Sequence, residues 1–287
     1  MLTTNLNNIL VPIDYSDTSI NALDTAIAIA KRQQAQLLLL HVVTINGIII
    51  PTGSAMLDAA LIDHVASDQH NLDILGEKII TEHAIDCQTL VVLGAICPAI
   101  VEQASKLQAD LIIMGSHGAS GLREFFIGSN AYAVLKHAPC PVLTVPPYRK
   151  WENFKKILFP VRPIADALSK YDLARKIIQH NNAELIVMGL LENKSKYSFD
   201  ELHEDVTRLV KVLDEDEVNV QTQFYYCDSL AQKIIEKTQA QNVDLVIITA
   251  TLDYKIQDFF VGPFAEQVVN HAKVPVLYIR PSPQLAN

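Results

Sequence analysis

The chain has 287 residues, 49% hydrophobic and 19% charged, with a formal net charge of −9. That length holds one large domain or two ordinary ones with sizeable cores, and the negative balance disfavours nucleic acid as a main partner. No apolar run reaches the ~18 residues of a bilayer span, and the start MLTTNLNNILVPID has neither the basic nor the apolar region of a signal peptide. A cytoplasmic protein with no membrane partner is therefore expected. The four cysteines, Cys87, Cys97, Cys140 and Cys227, lack C-x-x-C spacing and read as buried, reduced thiols.

In chain order, the run at 8–13 reads as a first strand. It ends at Asp14, and a helix follows near 18–33. That helix has Ile20, Leu23, Ala26, Ile27 and Ala30 on one stripe and Ser16 or Asp17 as N-cap. A strand at 36–43 leads into the apolar stretch TINGIIIPTGSAM and a helix near 57–84. Strands near 88–93, 110–115 and 141–146 alternate with helices near 98–108 and 129–138. Continuous Leu, Ile and Val runs suit strands buried on both faces of a parallel sheet. Alternating βαβ units imply right-handed crossovers and a doubly wound sheet. Ligands of such sheets sit at the carboxyl ends of the strands. Asp14 and the stretch GSHGASGLREFFIGSN (115–130) both lie at that edge, and the latter holds four of the chain's ten glycines. A strand, a Gly-rich turn and a helix start together present main-chain N–H groups to phosphate.

The pattern then repeats. NILVPID (8–14) returns as KILFPVR (156–162) and AQLLLLHVV (35–43) as AELIVMGLL (183–191), both at an offset of 148. ADLIIMG (109–115) matches VDLVIIT (243–249), and HAPCPVLTVPP matches HAKVPVLYIRP, at an offset of 134. The second copy is thus 14 residues shorter, a deletion that falls in the TINGIIIPTGSAM loop or the helix after it. The fold expected is α/β: two tandem doubly wound, Rossmann-like domains, 1–147 and 153–287, each with a five-stranded parallel sheet flanked by helices. The halves differ in charge, with 6 basic and 13 acidic residues over 1–147 against 17 and 19 over 148–287.

These blocks resemble the universal stress protein family in a tandem arrangement. The nucleotide-binding branch of that family carries G-x2-G-x9-G-[ST], matched here by Gly115, Gly118, Gly128 and Ser129. The resemblance implies a site for ATP, or for AMP or ADP, with magnesium accompanying a triphosphate. It implies that Pro12, Ile13, Asp14, Val42 and Met114 border adenosine. Gly115, His117, Gly118, Gly128, Ser129 and Asn130 then border ribose and phosphates. It also implies pairing of domains through their last strands, here an internal pseudo-dimer, with a homodimer of chains and a protein partner beyond it.

Other roles stand beside these. Asp14 can cap the first helix, and Gly115 and Gly118 can serve as turn glycines. Arg123 is either solvated or a phosphate screen. His117 is a loop residue with a hydrogen-bond role. His137 and its counterpart His271 suit packing or the negative end of a helix, and the acidic run 214–217 is a solvated helix end. In the second copy Asp14 becomes Arg162, Gly115 becomes Thr249, Gly118 becomes Leu252 and Ser129 becomes Pro263. That repeat is expected not to bind ATP in the same manner. No hydrolase or Walker pattern occurs, so a regulatory nucleotide binder leads. A slow ATPase or phosphotransfer enzyme and a nucleotide-independent scaffold or small-ligand binder remain as alternatives.

Overall fold

A computed structural model describes residues 6–44, 55–117, 127–147, 149–163, 167–249, 251–253, 258–260 and 262–279. The first repeat runs β1 (Asn8–Pro12), α1 (Asp17–Gln33), β2 (Gln36–Val43), α2 (Ala55–His83), β3 (Cys87–Leu93), α3 (Ile96–Lys106), β4 (Leu111–Gly115), α4 (Ser129–His137) and β5 (Val142–Val145). The second runs β6 (Lys156–Val161), α5 (Ala167–Asn181), β7 (Glu184–Glu192), α6 (Phe199–Glu215), β8 (Asn219–Cys227), α7 (Leu230–Ala240) and β9 (Leu245–Thr249). A short antiparallel pair follows, β10 (Thr251–Asp253) and β11 (Asp258–Phe260), then α8 (Pro263–His271) and β12 (Val276–Ile279).

Each repeat contributes five parallel strands, ordered β3-β2-β1-β4-β5 and β8-β7-β6-β9-β12. The two sets are not separate sheets. β5 and β12 pair antiparallel, with Leu143 opposite Leu277, and make one ten-stranded sheet with the helices against its faces. The apolar last strands thus cover one another's open edges. Shortening of the second copy falls mostly in one helix, since α2 has 29 residues and α6 has 17.

Both repeats tie down their first strand in the same way. Asp110, just before β4, accepts from the main-chain N–H groups of Asn7 and Asn8 at 2.8 and 2.9 Å. Asp244, its counterpart before β9, accepts from those of Lys155 and Lys156 at 3.0 and 3.1 Å. Carboxylate acceptors make such bonds stronger than neutral ones. The segment between the repeats is packed, not loose. Trp151 and Phe154 are buried, and Arg32 of α1 donates to the Glu152 carbonyl. Across the halves, Gln33 donates to the Lys176 carbonyl at 3.0 Å and His180 to that of Arg32 at 3.1 Å.

Some expectations change. Ser16 is the N-cap of α1, accepting from Ser19 N–H, but Ile20 is 37% exposed and does not share the buried stripe. The face of α1 that packs is set by Ala22, Leu23, Ala26, Ile29 and Ala30. The acidic run at 214–217 is only partly solvated: Asp216 accepts from the Tyr171 hydroxyl and pairs with Arg175 Nε at 3.0 Å, fastening α6 to α5. All four thiols are free, but only Cys227 is fully buried. Burial still pushes Cys87 up to about 11 and Cys140 up to about 12, so neither is a ready thiolate.

Leu277 is 1% exposed and lies in the seam between the halves. Leu277→Ala should cost about 2–5 kcal/mol, the range for buried leucines. Urea unfolding should register it as a lower midpoint of one shared transition rather than as the early loss of one half.

Candidate functional site

Sequence positions that are far apart converge at the carboxyl edge of the first repeat. Pro12, Ile13 and Asp14 leave β1, Val42 ends β2, Met114 and Gly115 end β4, and His117 follows. Gly128, Ser129 and Asn130 open α4. All of these line a single cavity. Its enclosed space is about 110 Å³, and it opens to solvent. Gly118, Arg123 and the insert 45–54 lie outside the described residues.

Ser19, Leu40, Ile96, Ile100 and Ala131 also line the cavity and were not anticipated. Ile96 and Ile100 are four apart on α3, so they share a face. Helical spacing marks such a face as apolar, but it does not say that the face borders a ligand space rather than the core. Together with Ile13, Leu40, Val42 and Met114 they make one end of the cavity oily.

The other end is polar. Gly128 is the N-cap of α4 in extended conformation and supplies no side-chain cap. The first main-chain N–H groups of α4 therefore have no acceptor within the helix, and its first residues bring the positive end of its dipole to the cavity wall. The backbone just before α4 is fixed from two sides. Gly128 N–H donates to the Ser116 carbonyl at 2.8 Å. Ile127 N–H donates to Asn270 Oδ1 at 2.8 Å, and Asn270 belongs to α8 of the second repeat. The second half thus reaches across to hold the turn that carries Ser129. Beside it, Ser116 Oγ and His117 Nδ1 are hydrogen bonded at 2.8 Å.

Asp14 is exposed, and its Oδ1 accepts from the Ser16 N–H at 3.0 Å and from the Ser16 hydroxyl. Ser16 in turn caps α1, so Asp14 braces the helix start indirectly and is not itself the cap. Tyr15, between them, has φ 61, a left-handed conformation uncommon for a side-chain-bearing residue. His41 Nδ1 donates to the Ile13 carbonyl at 2.7 Å, and its ring lies 5.2 Å from that of Tyr15. These contacts hold the strand-to-helix turn in the shape that presents Asp14.

Gly115 has a reason of its own. A Cβ there would lie 3.0 Å from Thr18 Cβ and 3.1 Å from the Thr18 carbonyl carbon. The glycine therefore lets the first turn of α1 sit against the end of β4. Its place in the motif reflects packing of the site's wall, in addition to any approach by a ligand.

A family model for the universal stress protein family matches residues 5–146 and again 153–280. The chain belongs to the universal stress protein family. It holds two tandem domains of that kind. Over 148 residues it is 35% identical to universal stress protein YxiE of Bacillus subtilis, a match covering 48% of this chain and 98% of that protein. Over 139 residues it is 37% identical to universal stress protein MJ0531 of Methanocaldococcus jannaschii, covering 48% of this chain and 80% of that protein. A universal stress protein structure from Archaeoglobus fulgidus aligns over 96% of this chain and 99% of its own, with a TM-score of 0.77 and 18% identity. That likeness shows a shared fold.

The second universal-stress-type repeat keeps a glycine N-cap, Gly262 before α8, but differs at the other positions. At the end of β6 stands Arg162, 6% exposed, with its guanidinium 4.0 Å from the centre of the Phe264 ring. Thr249 replaces Gly115 and is buried. Pro263 occupies the first turn of α8, where it removes one N–H. The stretch corresponding to the glycine loop forms the β10–β11 ladder, in which Leu252 sits opposite Phe259. His137 and His271 both lie in the last turn of their helices, where a cation opposes the dipole.

Gly115→Ala should destabilise the protein by about 1–3 kcal/mol, the cost of overpacking a rigid contact. The neighbour here is a Cβ and main chain rather than the end of a flexible side chain. Chemical denaturation of the ligand-free chain measures this separately from any effect on binding.

Proposed function

We propose that the first repeat binds an adenine nucleotide, ATP or its di- or monophosphate, and that occupancy serves a regulatory role in a stress response. One observation carries this: the described residues of the glycine motif and of the β1 end line one cavity, oily at one end and edged by the uncapped start of α4 at the other. The oily end suits a flat base, packed by Ile13, Val42 and Met114. Asp14 is acceptor-only when ionised, which suits a ribose hydroxyl. The Ser129 hydroxyl and the first N–H groups of α4 suit phosphate oxygens, and magnesium would arrive with a triphosphate rather than precede it. Binding is proposed for the first repeat alone, because Arg162 and Pro263 replace Asp14 and Ser129 in the other.

A slow ATPase role has one observation in its favour, the Ser116–His117 hydrogen bond beside the cavity. Phosphate release that survives purification and disappears in His117→Ala would establish it.

The setting we propose is cytoplasmic, with chains associating as homodimers. No helix among the described residues is long and apolar enough to cross a membrane. Ile62, Ile74, Ile80 and Leu93, all on α2 and β3, are exposed apolar groups that support contact with a second chain. Sedimentation equilibrium tests the dimer.

Calorimetric titration of ATP with magnesium into nucleotide-stripped protein should give one site per chain. Two sites, or none at millimolar nucleotide, would overturn the proposal. Asp14→Arg, which places the second repeat's residue in the first, should weaken binding by at least about tenfold, since hydrogen bonds to charged groups are worth about 1.5–3 kcal/mol. Asn270→Ala should weaken it by about 2- to 10-fold, the worth of one ordinary hydrogen bond. Stoichiometry should be unchanged, because Asn270 acts through the position of Ile127.

A further inference from the structure

The second repeat buries two cations where the first presents a carboxylate. Arg162 ends β6 and is 6% exposed, and Lys170 on α5 is 3% exposed. Buried charges are costly unless paired. Among the described residues neither has a carboxylate within ion-pair distance; Glu192, which is exposed, acts on Arg162 only at longer range. Lys170 Nζ donates to the Pro160 carbonyl and lies 3.8 Å from the centre of the Phe159 ring. That is one acceptor for three donors. Arg162 stacks on Phe264, and one of its terminal nitrogens, Nη2, is buried with no hydrogen-bond partner.

The two cations also bear on each other. Burial pushes Lys170 well below the usual lysine range, and the Arg162 charge adds to that. Phe264 is the second residue of α8, so its contact with Arg162 places the guanidinium at that helix's N-terminus. Gly262 offers α8 no side-chain cap, so the N–H groups of Phe264 and Ala265 lack a helical acceptor. A buried guanidinium nitrogen without a partner and a helix's positive end meet at one place, and among the described residues no carboxylate is paired with either cation.

We propose that the second repeat is a receptor for a small oxyanion, a phosphate or carboxylate group held by Arg162, Lys170 and the start of α8. The guanidinium fork matches the paired oxygens of either group. The anion neutralises two cations that otherwise repel one another in a buried setting. Domain two is then a site of inverted charge rather than an emptied copy of the first. This does not rest on nucleotide binding by the first repeat.

Thermal unfolding of the full chain against inorganic phosphate, with sodium chloride matching the ionic strength, tests this. A ligand that binds only the folded state raises the melting temperature as it saturates, so about 50 mM is a sufficient upper concentration. The wild type should show a saturating rise. Arg162→Met and Lys170→Met should abolish it while melting no lower than wild type without phosphate, since each removes a buried cation. Neither Arg162 nor Lys170 lines the first cavity, so loss of the rise in these variants separates this site from it. Acetate in place of phosphate identifies the carboxylate form of the site. If Arg162→Met fails to fold, Arg162→Lys serves: it keeps the charge, loses the fork and should weaken the response. A rise that persists in both Met variants, or no rise with either anion, would overturn the proposal.

Discussion

The antiparallel pairing of β5 with β12 is the constraint on which the rest depends. An isolated repeat of this kind ends in an apolar strand whose outer N–H and C=O groups lack partners. Joining the two ends buries Leu143 and Leu277 and leaves only β3 and β8 as edges of the whole sheet. The same pairing places α8 beside the end of the glycine loop, so that Asn270 can accept from Ile127. Geometry at the first cavity is therefore partly the property of a domain that contributes no lining residue to it among those described.

Much of this was legible in the sequence. Strand and helix positions followed from apolar periodicity because a parallel sheet buries both faces of its strands, and the repeat followed from several blocks matching in order. Asp14 and the glycine stretch were legible because both sit at the carboxyl edge of the sheet, whereas Pro12, Ile13, Val42 and Met114 were implied only by the family resemblance. What periodicity could not convey is context. Ile96 and Ile100 have the spacing of any buried helix face, yet their side chains border open space. Ile20 follows the helical stripe but lies in the first turn after the N-cap and is exposed, while Thr18 and Ser19 beside it are buried. Asp216 reads as one acid among four, and only the packing of α6 on α5 gives it Tyr171 and Arg175 as partners.

Some residues serve two ends at once. Gly115 belongs to a phosphate-type motif, but the atoms nearest its missing Cβ are those of Thr18 and the His117 carbonyl oxygen. Asp14 faces the cavity and also anchors Ser16, which caps α1. Helix placement and site shape are thus coupled through the same short turn, where Tyr15 holds a conformation that its side chain does not favour. Strain of this kind persists only where surrounding contacts over-determine it. Here the His41 bond to the Ile13 carbonyl and the Asp14–Ser16 contacts do so.

The packed segment around Trp151 and Phe154 has a consequence for how such a molecule can change. When two identical chains pair, every substitution appears twice, and a residue that suits one lobe is imposed on the other. Covalent fusion lifts that restriction. A guanidinium can stand at 162 while a carboxylate stands at 14, and Asn270 can steady a neighbour's loop without an equal contact being demanded in return. Tying the halves together keeps their proportion fixed at one to one, so specialisation of each lobe never depends on finding the right companion.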